Sequence, residues 1–334
     1  MKILYFTDTH IRATNPKSRK DNFYETLITK FKEVYKIIHE ENVDFVIHGG
    51  DLFDRPDTSI LVSTEFANLI KGFEKPTYIV SGNHDIFGHN PKTVDRTMMG
   101  LLANLGIFHL LNDKKYILEK DGIKVQLTGN PYSYDIDEKN KINDYKVLAK
   151  DEDVQYVIHV VHGFLLDKPF MPGVNCTLIE DIYDTMADIT LAGHYHLGFK
   201  TIVKDGKYFI NPGALVRMSN AKAELERRPK VIIIELTDKI SIEEVYLKSA
   251  LPGDIVLDRE TMLMHRGKRA KLIEFQDLVE ASSNFKKYNV LELVEEILKN
   301  DLYSDKVKQE CLKRVSEVQE LSLIHISEPT RRPG

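Results

Sequence analysis

Five short polar clusters in this chain carry residues that could do chemistry together: Asp8-Thr9-His10, Gly50-Asp51-Leu52-Phe53-Asp54, Gly82-Asn83-His84-Asp85, His162-Gly163 and Gly193-His194-Tyr195-His196. Gly, Asn and Asp are turn formers, so any one cluster alone reads as a turn. All five, however, follow directly on an apolar run, and that recurrence points to a shared site. Two divalent ions held about 3.5 to 4 Å apart need a carboxylate that bridges both, N and O ligands on either side, and a position open to water and substrate. Asp51 is the candidate bridge, with Asp8, His10 and His196 completing one metal and Asn83, His162 and His194 the other. His84, one residue past a ligand, then faces the substrate as general acid for the leaving oxygen, oriented by Asp85 or another carboxylate. A ligand set of N and O without thiolate suits Mn²⁺, Fe or Zn²⁺. Asp54 stays open, as either a carboxylate that orients a ligand or a turn acid.

The positioning elements are legible from periodicity. Residues 2–7, 43–48 and 77–80 read as buried strands, and the first two are each followed by an amphipathic helix, from Asn22 and over residues 59–71. That β-α-β-α-β order predicts parallel neighbours joined by right-handed crossovers, with ligands at the carboxyl ends of the strands. Short β-like runs at 107–111, 116–119 and 123–128 are separated by hairpin signals, and the polar stretch 134–153 is expected to hold a helix flanked by loops. Further strands are expected at 156–161, 189–192, 199–203, 207–210, 231–236 and 241–247. Two sheets face to face with helices outside accommodate this pattern. His48 and His159 lie inside apolar strands and read as satisfied structural histidines, whereas His39, His89, His109 and His265 read as surface or loop residues.

Composition sets limits on the rest. Apolar residues make up 42% and charged residues 29% of the 334, as in ordinary globular proteins, and the net charge of −5 gives no global pull toward nucleic acid. Nucleic-acid binding would therefore rest on local patches: Lys17, Arg19 and Lys20; Arg217, Arg227, Arg228 and Lys230; and the basic run 265–271. Arg217 is the candidate substrate contact among them. Cys176 and Cys311 form no CxxC pair, which argues against a disulfide scaffold or a thiolate metal site. No segment approaches the roughly 18 apolar residues of a membrane span, and the N-terminus reaches an acid too early for a signal sequence, so a cytoplasmic location is the expectation.

Three divisions follow: a catalytic domain over 1–250, a helical appendage over 251–320 with helices at 271–280, 290–299 and 305–318, and a tail over 321–334. The tail looks like a translated transposase sequencing adapter and is set aside as non-native.

The clusters together resemble the calcineurin-like metallophosphoesterases over residues 1–247. Within that family, Gly50-Asp51-Leu52-Phe53-Asp54-Arg55-Pro56, the Gly-Asn-His-Asp loop and Asn211-Pro212-Gly213-Ala214-Leu215-Val216-Arg217 look like the SbcD branch of bacterial and phage double-strand-break repair nucleases. Asp54 stands where archaeal and eukaryotic members carry a His, which places the chain on the bacterial side. The resemblance implies a four-layer α/β/β/α sandwich, a di-manganese site and cleavage of DNA phosphodiesters by metal-bound hydroxide. It also implies a coiled-coil ATPase partner of the SbcC type, with a homodimer allowed for. No G-x-x-x-x-G-K-[ST] loop occurs here, so ATP dependence would come from another chain. The alternative is a metallophosphatase or cyclic-nucleotide phosphodiesterase of the same family.

Overall fold

A computed structural model describes residues 1–258, 309–311 and 313–314. The first sheet begins with β1 (Lys2–Phe6), whose residues alternate between two cores: Ile3 and Tyr5 face one, Leu4 and Phe6 the other. Helix α1 (Phe23–Glu40) opens where the Asn22 side chain accepts from the Glu25 N–H, and it buries Phe23, Leu27, Phe31, Val34 and Ile38 along one face. The chain continues through β2 (Phe45–His48), α2 (Ile60–Lys71), β3 (Thr77–Ile79), α3 (Met98–Asn104) and β4 (His109–Leu110). Strands β1, β2, β3 and β4 pair in parallel, as the β-α-β-α-β pattern requires.

The second sheet is built from β5 (Lys115–Lys120), β6 (Ile123–Asn130), β7 (Tyr156–Val161), β10 (Ile189–Ala192), β11 (Phe199–Lys204) and β12 (Lys207–Asn211), in the order β11-β12-β10-β7-β6-β5. Between β7 and β10 lies a small pair, β8 (Leu165–Leu166) with β9 (Thr177–Leu178). After the short helix α4 (Lys222–Glu226), β13 (Lys230–Leu236) returns antiparallel to β1 and β14 (Ile240–Tyr246) closes the first sheet, ahead of α5 (Gly253–Val256).

The two six-stranded sheets meet across a shared core of Ile3, Tyr5, Val80, Leu127, Ile158, Val160, Leu191 and Ile232. Helices α1, α2 and α3 cover the outer face of the first sheet. The outer face of the second is covered differently. The helix expected within 134–153 is a seven-residue 3-10 helix at Lys139–Tyr145, and a short 3-10 segment at Ile179–Ile182 packs beside it over Val161 and Phe209. The buried anchors of this stretch, Ile136, Tyr145 and Val147, are not at helical spacing, and its Asn and Asp side chains compete for backbone bonds. The helices expected at 271–280 and 290–299, the basic run 265–271 and the tail 321–334 lie outside the described residues. Of the helix expected at 305–318, residues 309–311 and 313–314 are described and are helical.

Candidate metal centre

Both sheets end their parallel strands at the same place. The loop after β1 supplies Asp8 and His10, the loop after β2 Asp51, and the loop after β3 Asn83 and His84. From the facing sheet, β7 delivers His162 and β10 delivers His194 and His196. Bonds between the sheets fix this meeting: Tyr5 Oη donates to the Ala192 carbonyl (2.7 Å), Leu215 N to the Thr7 carbonyl (3.0 Å), and the His194 N–H to Asp8 Oδ1 (3.1 Å).

The backbone is bent to aim these side chains. Asp8, His10, Asp51 and His194 hold positive φ of 53°, 46°, 51° and 73°, a region that side-chain-bearing residues seldom occupy. Gly82 must lack a side chain, because a Cβ there would run into Asp51.

Two donor groups result, joined by Asp51. In one, His10 Nε2 lies 3.0 Å from His196 Nε2 and 3.7 Å from Asp51 Oδ2, and His196 Nε2 lies 3.6 Å from Asp8 Oδ1. In the other, His162 Nε2 lies 3.3 Å from Asp51 Oδ2 and 3.3 Å from Asn83 Oδ1, which is 2.9 Å from His194 Nδ1. The Gly49 carbonyl accepts from His162 Nδ1 at 2.7 Å, so that ring presents Nε2 to the centre. Asp51 Oδ2 is buried between the groups and makes no hydrogen bond of acceptable geometry. A buried carboxylate oxygen so placed, among nitrogens converging to 3.0–3.7 Å, fits divalent cations at this point.

Electrostatics agree with that fit. Burial and the neighbouring His84 hold His10 well below the usual imidazole range, and burial takes His196 down to about 3, so both rings are neutral, the form in which an imidazole can accept a cation. Burial works against ionising Asp51, yet the His162 and His84 imidazoles pull its carboxyl well below the ordinary value. Against its own burial, His162 is raised to about 9 by Asp51 and Asp8. The pair is an ion pair when no cation is bound, and a metal would replace the proton.

His84 is placed separately from both groups. Its Nδ1 meets the Asp54 carbonyl at 3.0 Å, and its N–H donates to Asp51 Oδ1 at 2.8 Å. A carbonyl only accepts, so Nδ1 carries the proton and Nε2 is turned to the other side. Asp85, expected to orient this ring, does something else. Its Oδ2 accepts from the N–H groups of Leu52 and Gly82 (3.2 and 2.9 Å) and its Oδ1 from Phe53 (2.8 Å), tying the second and third loops together. Asp54 is no exposed turn acid: it is buried, pairs with Arg12 Nη1 at 2.9 Å and lies 3.8 Å from His10 Nδ1. Although His10, Asp54 and His84 also converge, the guanidinium of Arg12 already supplies the positive charge there.

A family model described as calcineurin-like phosphoesterase matches residues 1–198. The chain belongs to that family.

Among curated relatives, the DNA double-strand break repair protein Mre11 of Thermoplasma acidophilum is 23% identical over 260 residues, covering 75% of this chain and 66% of that protein. The Mre11 of Methanococcus maripaludis is 28% identical over 221 residues, covering 62% of this chain and 54% of that protein. The double-strand break repair protein MRE11 of Encephalitozoon cuniculi is 24% identical over 287 residues, with 75% and 48% covered. The chain thus spans about half to two thirds of the length of these relatives. A solved dimetal phosphatase from Danio rerio aligns over 74% of this chain and 96% of its own, at 11% identity and a TM-score of 0.49.

Other parts of this phosphoesterase differ from the sequence expectation. Arg217, the expected substrate contact, is buried, and its Nε and both Nη atoms donate to the carbonyls of Arg227 and Leu251 (2.7–3.0 Å). Asp137, in the polar stretch and in no motif, accepts from Phe164 N (3.1 Å), Thr177 Oγ1 and Tyr145 Oη, bracing the chain just after His162. The open side of the centre is aromatic. Tyr132 and Phe164 stand 5.3 and 5.9 Å from the His194 ring, and Phe170 and Tyr195 pack against Phe164 at 5.2 and 5.6 Å. No sequence period marks this rim, because its residues come from four separate loops. His48 and His159 are buried and hydrogen-bonded as expected, His48 Nδ1 accepting from the Gly50 N–H and His159 Nε2 donating to the Asp144 carbonyl.

Proposed function

We propose that this phosphoesterase hydrolyses DNA phosphodiesters as a metal-dependent repair nuclease of the SbcD type, with exonuclease action on DNA ends. The observation that carries the reading is the pair of donor groups sharing Asp51. Asp8, His10, Asp51 and His196 would hold one divalent cation; Asp51, Asn83, His162 and His194 the other, with Mn²⁺ the expected metal. When bound, the cations would act as Lewis acids on the phosphoryl oxygens and offset the charge that develops in the transition state.

The chain's own residues do the rest. His84, its Nδ1–H held by the Asp54 carbonyl, must be the doubly protonated imidazolium to act as the acid, and it then gives the proton on Nε2 to the departing ribose oxygen and is left neutral. Gly49, through His162, and Asp85, through three backbone N–H groups, keep the ligands from drifting. Tyr132, Phe164, Phe170 and Tyr195 offer π faces on which unpaired bases at a DNA end can stack, which favours a nucleic-acid substrate over a small phosphomonoester. The relatives in Thermoplasma acidophilum and Methanococcus maripaludis, DNA double-strand break repair proteins, point the same way. The partner proposed with this reading is a coiled-coil ATPase of the SbcC type.

One assay tests it. With Mn²⁺, end-labelled duplex DNA and bis-p-nitrophenyl phosphate should be cleaved and p-nitrophenyl phosphate barely touched, all activity vanishing with chelator. Preference for the monoester would replace the nuclease reading with a phosphatase.

A further inference from the structure

Helix α1 breaks its own apolar pattern at one place. Lys30 sits in the buried stripe that otherwise consists of Phe23, Leu27, Phe31, Val34, Ile37 and Ile38, and only 3% of it is exposed. Its single hydrogen bond among the described residues runs from Nζ to the Leu215 carbonyl at 2.9 Å, which leaves two of its three N–H groups over. An ammonium in this position costs stability unless something compensates it.

Lys30 lines a cavity of about 350 Å³ together with Arg19, Arg217, Glu25, Ser249 and Leu251. The surrounding charges are unevenly matched. Arg19 forks onto Asp21 at 2.6 and 2.7 Å, and behind the wall Arg227 pairs with Glu224 at 3.0 Å. Lys30 and Arg217 have no carboxylate within ion-pair distance among the described residues. Glu33, the acid on the next turn, is engaged by the N–H groups of Lys248 and Ser249 at 2.6 and 2.9 Å. Burial, and then Arg227, Arg217 and Arg19, push the Lys30 ammonium well below its ordinary range; burial and Arg227 take Arg217 down to about 10. Three cations, Arg19, Lys30 and Arg217, line this cavity against one acid, Glu25, and the group that would relieve the excess positive charge is an anion of two charges that accepts several hydrogen bonds.

We propose that this cavity binds a phosphate group, either free phosphate or the 5′-phosphate of a mononucleotide. It is separate from the metal centre but shares a wall with it: Leu215, whose carbonyl holds Lys30, donates its N–H to Thr7, and Ala214 donates to the carbonyl of His196.

The test uses the full chain stripped of metal, so that phosphate has no cations to bind at the metal centre. Thermal unfolding is followed with inorganic phosphate, dAMP or deoxyadenosine, at ionic strength matched with chloride. A saturable rise in Tm is expected, about 4 °C at a hundredfold excess over Kd. Phosphate shifting alone makes the site one for the free ion, dAMP shifting alone makes it a nucleotide site, and deoxyadenosine shifts nothing in either case. Lys30→Met should unfold at a higher temperature than the parent without ligand and lose the ligand shift. Calorimetric titration of the unmutated protein should show one phosphate or dAMP per chain, whatever the variant does. The proposal is overturned if neither anion exceeds chloride, or if Lys30→Met keeps the full shift.

Discussion

His10 Nε2 and His196 Nε2 face each other at 3.0 Å, one carried by each sheet. Neither ring is a core histidine of its own strand, and both are neutral through burial. Two lone-pair-bearing nitrogens held at that separation beside Asp8 and Asp51 make sense as ligands of one cation, and the joining of the two sheets is what brings them together.

His84→Ala should lower cleavage of DNA by about 10²–10⁴-fold while leaving metal stoichiometry unchanged. A p-nitrophenolate leaving group needs little protonation, so the same variant should lose far less on bis-p-nitrophenyl phosphate. Equal losses on both substrates would remove the proton-donor role.

Asp85→Ala leaves three buried N–H groups, of Leu52, Phe53 and Gly82, without their acceptor. The expected cost is about 3–5 kcal/mol of stability, read from chemical denaturation, with metal affinity falling as the loops loosen. An unchanged midpoint with activity lost would return Asp85 to a direct role in the reaction.

Gly82→Ala is the smallest change that should spoil the centre, since its methyl collides with the Asp51 side chain and backbone. Divalent-metal affinity should drop at least tenfold with the overall fold retained by circular dichroism. Parental affinity would show that Asp51 can move without consequence.

His159 gives a pH signature away from the centre. Its Nε2 donates to the Asp144 carbonyl (3.0 Å), its Nδ1 accepts from Thr128 (2.9 Å), and burial lowers it to about 4. Below the ordinary imidazole value the unfolded chain takes a proton that the folded chain refuses. Stability therefore falls as pH drops from about 6.5 to about 4, by roughly 3 kcal/mol from this residue. In His159→Gln that decline should be shallower by a comparable amount, measured by denaturation at stepped pH; an identical slope would rule the assignment out.

What the sequence made legible was whatever local pattern carries. Apolar runs ending in Asp8, Asp51, Asn83, His162 and His194 located the strands, their parallel order and the gathering of donors, because each motif directly follows its strand. What stayed hidden depends on contacts between distant segments. Arg217 looks in sequence like any basic residue near a motif, and only the approach of Arg227 and Leu251 turns it inward. The covering of the second sheet follows from where Tyr145 and Asp137 meet the chain after His162, which no helical period records. Asp85 was placed beside His84 by adjacency, whereas its carboxylate points back to the loop after β2.

The most direct test of the account is the number of metal ions the centre holds. Titration of chelator-stripped protein with Mn²⁺, followed calorimetrically, should give two ions per chain, and Asp51→Ala should leave at most one weakly bound. A single ion in the parent protein, or two retained by Asp51→Ala, would contradict a dinuclear centre bridged by Asp51.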